Sequence, residues 1–203
     1  MVQISLEHIS KRFLESWAVK GFSAEFKQPG SYVITGSNGS GKSTLLLMLC
    51  GFIRPSLGQI RWTHNQQMLL PEDLVKLMAY CTPQLTLDES LTVLEQAVFY
   101  FRFKPCVNEL KVQQVLELAQ LQSHFSKSVG QLSSGMKQRL KLALALCSDT
   151  PVLCLDEPLS HLDQQGKEWY SNMLTRFSKN RLVVVASNHN PDEYLKESVK
   201  FEL

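Results

Sequence analysis

The chain has 203 residues, 44% of them hydrophobic, and a formal net charge of +2, as expected for a globular protein with one sizeable core. The small charge and the absence of a dense run of Lys and Arg argue against a nucleic-acid partner. No apolar run approaches the ~20 residues that cross a bilayer, and residues 1–7 lack the pattern of a signal peptide. The five cysteines are widely spaced without a C-x-x-C pair, which predicts buried thiols in a reducing compartment.

The first elements along the chain are predicted to be antiparallel strands. Residues 2–8 alternate between apolar and polar side chains, and residues 18–26 do so more loosely, which indicates strands with one buried face. Phe13 lies between them and fits neither alternation. It is therefore either an ordinary core residue or an exposed aromatic with a function.

The glycine-rich segment 36–44 is the strongest motif in the chain and is called the P-loop below. It reads Gly-Ser-Asn-Gly-Ser-Gly-Lys-Ser-Thr and matches G-x-x-x-x-G-K-[ST] at every defined position. A β-branched strand over 32–35 precedes it, and a helix over 45–50 follows, ending at Gly51. A glycine-rich turn that carried Lys-Ser by coincidence would not require both flanking elements.

This motif predicts binding of a nucleoside triphosphate. Its glycines allow backbone N–H groups to converge on an anion, and the following helix adds its positive end. Lys42 is expected to reach the β- and γ-phosphates, and Ser43 to hold Mg²⁺ through its hydroxyl. The predicted nucleotide ligands are Gly36, Ser37, Asn38, Gly39, Ser40, Gly41, Lys42, Ser43 and Thr44.

The middle of the chain changes from strand to helix periodicity. Strands are predicted over 59–63 and 77–81, whereas the polar stretch 64–76 gives no clear pattern. From 91 to 122 apolar residues recur at helical spacing in two helices separated by Pro105. Further elements are predicted at 134–147 (helix), 152–155 (strand), 164–178 (helix) and 182–186 (strand).

Two adjacent carboxylates follow the apolar strand over 152–155. Asp156 fits the acidic residue that completes a magnesium site beside Ser43. Glu157 is then a candidate general base for in-line attack of water on the γ-phosphate. The alternative for Glu157 is a strand-end carboxylate that only faces solvent.

These motifs together resemble the ATP-binding cassette (ABC) ATPases over residues 2–190. Residues 132–136, Leu-Ser-Ser-Gly-Met, stand where that family has its LSGGQ signature, 24 residues before Asp156. Gln84 matches the family's Q-loop glutamine, residues 160–163 match its D-loop, and His189 matches its switch histidine. A single Gln, His or aromatic is weak evidence alone, but five motifs in the family's order are specific.

The resemblance implies a fold and a role for each residue. The fold is an α/β P-loop NTPase cassette, with a mostly parallel core sheet, an antiparallel β subdomain and a helical insertion. One domain is expected to span 1–203, with the core and β subdomain at 1–84 and 132–203, and the helical subdomain at 85–131. The implied catalytic residues are Glu157, His189 and Gln84; the implied magnesium ligands are Ser43, Gln84 and Asp156; and Phe13 is implied to stack on adenine.

The resemblance also implies that two cassettes dimerise head to tail around ATP. Ser133 and Gly135 of one copy would then contact the γ-phosphate held by the P-loop of the other. Two residues depart from the family pattern, since Ser134 replaces a glycine and Met136 replaces the glutamine. The serine and glycine expected at the phosphate are kept, so binding and turnover are expected to persist.

The insertion length narrows the possible functions. Gln84 and Leu132 are only 48 residues apart, which leaves no room for the coiled coil of chromosome-maintenance members. The chain holds one cassette, unlike translation-associated members, and small-molecule kinases would not explain the signature or His189. The expected protein is a cytoplasmic ATPase subunit, peripheral on the inner face of the membrane through a separate permease.

The substrate is not specified by these residues. The P-loop's Gly-Ser-Asn-Gly and Trp62 resemble the ATPase of the haem-export system for cytochrome c maturation. The chain ends 14 residues after His189, without the regulatory extension of many importers, which favours an exporter. The alternative is an ABC ATPase that drives a mechanical membrane or envelope complex rather than transport.

Overall fold

The computed structural model describes every residue from Met1 to Leu203, in nine strands and six α-helices. The strands are β1 (Val2–Phe13), β2 (Ser16–Lys27), β3 (Gly30–Thr35), β4 (Leu57–His64), β5 (Gln67–Met68), β6 (Met78–Cys81), β7 (Val152–Asp156), β8 (Leu182–Ser187) and β9 (Val199–Glu202). The helices are α1 (Lys42–Leu49), α2 (Pro71–Leu77), α3 (Val93–Phe103), α4 (Val112–Leu118), α5 (Ser134–Leu146) and α6 (Gln164–Phe177).

The antiparallel sheet has the strand order β2-β1-β4-β5. The first residues of β1 alternate as predicted, with Val2, Ile4 and Leu6 buried. β1 is longer than the predicted 2–8, because register shifts after Leu6 interrupt the alternation without ending the strand. Phe13 is the last residue of β1, beside a hairpin tip where Leu14 is 97% exposed.

The second sheet is fully parallel, in the order β6-β7-β8-β3-β9. Asp156 is paired with Ala186, and Thr35 with Ser187, so the carboxyl ends of β7, β8 and β3 lie side by side. In open parallel sheets this edge is where ligands bind. The segments that follow β3, β6, β7 and β8 all leave the sheet at this edge, and they carry the P-loop, Gln84, Glu157 and His189.

Strand alternation divides the core between the two faces of the parallel sheet. In β8, Val183 and Val185 pack with α3, α4, α5 and α6, whereas Val184 and Ala186 pack with α1 and the antiparallel sheet. Both faces are therefore covered by apolar side chains, which explains the continuous apolar runs of the central strands. The segment containing α3 and α4 shares its core with α5 and the sheet.

Most predicted elements are confirmed, with small changes at their ends. The helix after the P-loop begins at Lys42 rather than at residue 45, and the two predicted helices of 91–122 are the shorter α3 and α4. The polar stretch 64–76 contains β5 and most of α2, and β9 was not predicted at all. Four of the cysteines are buried as expected, but Cys106 is only half-buried. None of the helices has both the length and the apolar character that a membrane span requires.

Candidate nucleotide-binding and hydrolysis site

The candidate site lies along the carboxyl edge of the parallel sheet. Gln84 follows β6, Asp156 ends β7 and Glu157 follows it, His189 follows β8, and the P-loop follows β3. Since the four strands are neighbours in the order β6-β7-β8-β3, the sheet brings these separate segments to one edge.

The P-loop needs glycine where it passes closest to β2. Gly41 has φ +102°, and a Cβ there would lie 2.1 Å from the carbonyl oxygen of Ala18. Gly39 has φ +83° but faces open space. Left-handed backbone at both positions curls the loop, and the amide of Ser40 donates to the carbonyl oxygen of Ser37 at 3.2 Å. Helix α1 then begins at Lys42.

Lys42 is buried within the P-loop it belongs to. Its side chain is 4% exposed, and Nζ donates to the carbonyl oxygens of Gly36 at 2.9 Å and Ser37 at 3.0 Å. The ammonium is therefore held over the loop at the positive end of α1, which concentrates positive charge where phosphate is expected.

Asp156 has the properties of a magnesium ligand. It is 2% exposed, and its Oδ1 is buried without a hydrogen-bond partner. Burial raises the pKa of Asp156 above its ordinary value; the Ser43 hydroxyl lowers it again, Glu157 raises it, and Lys42 and Thr82 lower it. A buried carboxylate oxygen with no partner, beside a hydroxyl, is the oxygen-donor arrangement that suits Mg²⁺.

Glu157 occupies strained backbone at the end of β7. Its φ is +40°, in the left-handed region that costs a non-glycine residue roughly 1–2 kcal/mol. Its amide donates to the carbonyl oxygen of Ala186 at 2.9 Å, which fixes it to β8. Such strain is typical of residues held for a function.

Gln84 and His189 both lie on exposed loops at this edge. The hydroxyl of Thr82 donates to Oε1 of Gln84. His189 has φ +55°, and its loop is closed by the amide of Asn190 donating to Oγ of Ser187 at 3.1 Å. The Gln84 side chain makes no further hydrogen bond and the His189 side chain makes none, so both are free to turn toward a ligand.

The signature residues 132–136 lie at the start of α5 and contact the D-loop segment. Ser133 caps α5, its Oγ accepting from the amide of Met136 at 3.3 Å. A Cβ on Gly135 would lie 3.0 Å from the carbonyl oxygen of His161, in the D-loop segment. The structure thus joins the signature to the D-loop around a cavity of about 340 Å³. It makes no hydrogen bond between the signature and residues 36–44.

Phe13 belongs to the hairpin of β1 and β2, whose strand β2 approaches the P-loop. Lys11, two residues away, pairs with Val19, and a Cβ on Gly41 would lie 3.1 Å from Cγ2 of that valine. Phe13 is 47% exposed, with the ammonium of Lys11 5.2 Å from its ring centre. The exposed ring is available for stacking, and the alternative of an ordinary core residue is wrong.

Three buried polar residues near this edge were not predicted. Gln138 donates to the carbonyl oxygen of Pro158 at 3.0 Å, and Lys141 donates to that of Pro83 at 2.7 Å. Glu193 is 5% exposed, and burial raises the pKa of its carboxyl to about 7. Gln138 and Lys141 interrupt the apolar face of α5, so the sequence alone could have singled them out. Glu193 lies in a polar loop, where nothing in the sequence distinguishes it.

Comparison with known proteins decides the family. The model of the ABC transporter family matches residues 19–160, well over half of the chain. The chain belongs to the ABC transporter family. The resemblance based on the P-loop, the signature and the residues after β7 is therefore confirmed, as is membership of a family of ATPases.

Two curated relatives illustrate how broad this ABC family is. The Nod factor export ATP-binding protein I of Burkholderia orbicola is 32% identical over 199 residues. The spermidine/putrescine import ATP-binding protein PotA of Protochlamydia amoebophila is 36% identical over 169 residues. The alignments cover 94% and 79% of this chain, but only 64% and 43% of those proteins. One relative is named for export and the other for import.

A solved cassette confirms the predicted ABC fold. The solved structure is a dimeric post-hydrolysis state of the ATP-binding cassette MJ0796 bound to ADP and Pi. The superposition covers 92% of this chain and 88% of the MJ0796 chain. The TM-score is 0.77 at 22% sequence identity. The parallel sheet, the antiparallel sheet and the helices together form an ABC cassette.

Proposed function

We propose that this ABC cassette binds Mg-ATP and hydrolyses it to drive a membrane transporter. The observation that carries the proposal is the buried, unpartnered Oδ1 of Asp156 beside Ser43, at the sheet edge where the P-loop and Glu157 also lie. A buried carboxylate without a partner is costly unless a cation is bound there in function.

Each site residue has a separate role in the proposed phosphoryl transfer. Loop amides and Lys42 hold the phosphates, while Ser43 and Asp156 hold Mg²⁺, with Gln84 as a further ligand. Bound Mg²⁺ would neutralise charge on the β- and γ-phosphate oxygens. Glu157 accepts a proton from the attacking water, and His189 hydrogen-bonds the γ-phosphate and orients that water. Phe13 stacks on adenine.

The signature is proposed to act on a second copy of the chain. Ser133 and Gly135 are solvent-accessible at the N-terminus of α5 and make no hydrogen bond to their own P-loop. A helix N-terminus attracts a phosphate, so a head-to-tail dimer would place each signature on the partner's ATP. ATP then contributes to the interface, and dimer formation depends on it. The replacements at Ser134 and Met136 leave both proposed phosphate contacts in place.

The transported compound is proposed to be handled by a separate permease, with this chain peripheral on the cytoplasmic face of the membrane. Helix α3 presents Phe99 and Phe103, 53% and 68% exposed, with ring centres 5.3 Å apart. An exposed aromatic pair suits the apolar surface of a cytoplasmic permease segment. That the transported compound is haem, as the resemblance of the P-loop and Trp62 implies, stays a prediction. Transport of haem by this chain reconstituted with its permease would test it.

The proposed cassette cycle is tested with Glu157→Gln and light scattering after size-exclusion chromatography, with and without Mg-ATP. The variant should bind ATP, fail to hydrolyse it, and shift from monomer to dimer mass only with nucleotide. Glu157→Gln with Lys42→Ala is the matched control and should stay monomeric. Proven ATP binding without dimerisation would contradict the role proposed for the signature.

The permease proposal needs a separate experiment. The full chain is used to isolate its membrane partner from cells that contain it, and Phe99→Ser with Phe103→Ser is compared. A multi-span partner lost in the double variant supports transport. A partner that belongs to an envelope-remodelling complex would favour the mechanical alternative instead.

A further inference from the structure

Lys141 on α5 is a buried ammonium whose hydrogen bonds go only to main-chain oxygens. Its residue is 7% exposed, and Nζ donates to the carbonyl oxygens of Pro83 at 2.7 Å and Thr82 at 3.4 Å. It takes part in none of the ion pairs of the chain. Burying a lysine without a carboxylate is costly, and here burial lowers its pKa. The two carbonyl groups are the only hydrogen-bond partners of this buried ammonium.

The two carbonyl groups belong to the turn that carries Gln84. The amide of Leu85 closes this turn by donating to the carbonyl oxygen of Thr82 at 3.1 Å, and the Thr82 hydroxyl donates to the Gln84 side chain. Lys141 thus holds the backbone of the turn from beneath, while Gln84 itself remains exposed.

The same helix begins at the signature. Ser133 caps α5, and Lys141 lies two turns further along its 13 residues. Between them, Gln138 donates to the carbonyl oxygen of Pro158, next to Glu157. Because Gln138 and Lys141 lie on one continuous helix, a displacement at Ser133 would reach the Pro158 turn through Gln138 and the Gln84 turn through Lys141.

We propose that Lys141 is a positioning residue that couples Gln84 to the signature of the same chain. Contact of Ser133 with the partner's nucleotide would thereby set the position of Gln84 at the chain's own nucleotide. The two sites of a dimer would then turn over in concert. This inference rests on the proposed function, since it requires Ser133 and Gln84 to act on ATP.

The test compares steady-state ATPase kinetics of Lys141→Met and Lys104→Met in the full chain. Lys104 is a matched control, because it is also partly buried and donates to the carbonyl oxygens of Val75 and Met78, away from Gln84. Lys141→Met should lower kcat about 10-fold or more, because misplacement of a catalytic group is costly, while KM for ATP changes less than about twofold. Lys104→Met should change neither value by more than about twofold.

A double-mutant cycle with Gln84→Ala separates coupling from general damage. If Lys141 acts through Gln84, adding Lys141→Met to Gln84→Ala should lower kcat by no more than about twofold further. Multiplicative losses, or a loss that is equal in Lys104→Met, would overturn the proposal. Lys141→Gln, which is too short to reach both carbonyl groups, replaces Lys141→Met if the latter does not fold, with the same expectation.

The outcomes also separate this inference from the proposed function. A wild-type chain that binds Mg-ATP but never hydrolyses it contradicts the proposed function itself. A wild-type chain with normal turnover, together with an unaffected Lys141→Met variant, overturns only the role of Lys141.

Discussion

The amide of Glu157 donates to the carbonyl oxygen of Ala186 at 2.9 Å, one residue beyond the last paired position of β7. Asp156 is still in register with Ala186, so the hydrogen bond extends the contact between β7 and β8 past the end of the strand. At φ +40° the chain then turns out of the strand direction. The backbone of Glu157 is therefore fixed by the sheet and not by its own side chain.

Glu157→Gln is accordingly expected to lose activity without losing stability. The amide contact to Ala186 is unchanged, so the melting temperature should stay within about 2 °C of wild type. Loss of the general base should lower kcat by about 10²- to 10⁴-fold. ATPase assays and thermal unfolding on the same preparations measure both quantities. Glu168→Gln, an exposed carboxylate on α6, is the control; ordinary turnover in Glu157→Gln would remove Glu157 from the mechanism.

Local sequence was sufficient for the central strands and for the P-loop. At Gly41 a Cβ would lie 2.1 Å from the carbonyl oxygen of Ala18, so this turn between strand and helix requires a glycine, and the requirement is visible in the sequence. The buried strand before Asp156 likewise leaves an unbroken apolar run. Features that depend on residues close together in the chain can therefore be predicted from the sequence.

Features that depend on distant partners were not predictable. Strand β9 is only four residues long, too short for its alternation of apolar and polar side chains to be distinctive, and it pairs in parallel with the edge of β3. Lys141 could be recognised as an anomaly on an apolar helix face, but not as a partner of Pro83, 58 residues away. The proposed ligand of the signature is held by a second copy of the chain. The sequence therefore predicts where α5 begins, but the structure of one chain does not contain the contact with that ligand.

Phe13 and Trp17 provide a matched pair for the adenine-stacking prediction. Phe13 is 47% exposed beside Lys11, whereas Trp17 is 37% exposed and its ring centre lies 5.8 Å from the guanidinium carbon of Arg12. Phe13→Ala should raise KM for ATP about 3- to 10-fold, the value of one aromatic contact. Trp17→Ala should leave KM within about twofold. Steady-state kinetics of the two variants test this difference, and a larger effect of Trp17→Ala would assign adenine stacking to Trp17 instead of Phe13.

Arg181 is a buried cation stabilised by the ends of two helices. It is 7% exposed, and its Nη1 donates to the carbonyl oxygens of Leu146 at 2.9 Å and Phe177 at 3.4 Å, the last residues of α5 and α6. Nη2 donates to Oγ1 of Thr150 at 2.6 Å. Burial lowers the pKa of Arg181 to about 10, so it stays charged at neutral pH, opposite two negative helix ends.

Arg181→Met should therefore reduce the free energy of unfolding by about 2–4 kcal/mol, because three acceptors lose a charged donor. Arg176→Met, at an exposed position in the last turn of α6, should change it by less than about 0.5 kcal/mol. Urea unfolding at pH 7 measures both. Equal midpoints for the two variants would show that solvent or neighbouring groups replace the Arg181 contacts.

Glu193 should make stability depend on pH in the direction opposite to a carboxylate whose pKa is lowered on folding. Burial raises the pKa of Glu193 from its ordinary value of 4.5 to about 7; Ser187 and the amide of Leu159 lower it, and the charges of Glu157 and Asp156 raise it. Between these values the folded chain holds a proton that the unfolded chain has released. Its stabilising contribution is therefore complete below about pH 4.5 and is lost as the pH rises through 7.

Glu193→Gln keeps the neutral form at every pH and isolates this effect. At pH 5 its free energy of unfolding should exceed that of wild type by less than about 1 kcal/mol, whereas at pH 8 it should exceed it by about 3 kcal/mol, since one pKa unit is about 1.4 kcal/mol. Asp192→Asn changes an exposed neighbour on the same turn and should leave the difference between pH 5 and pH 8 as it is in wild type. Urea unfolding at both pH values measures these differences. A Glu193→Gln variant that is no more stable than wild type at pH 8 would mean that the Glu193 carboxylate is accommodated in its charged form, through Ser187 and the Leu159 amide.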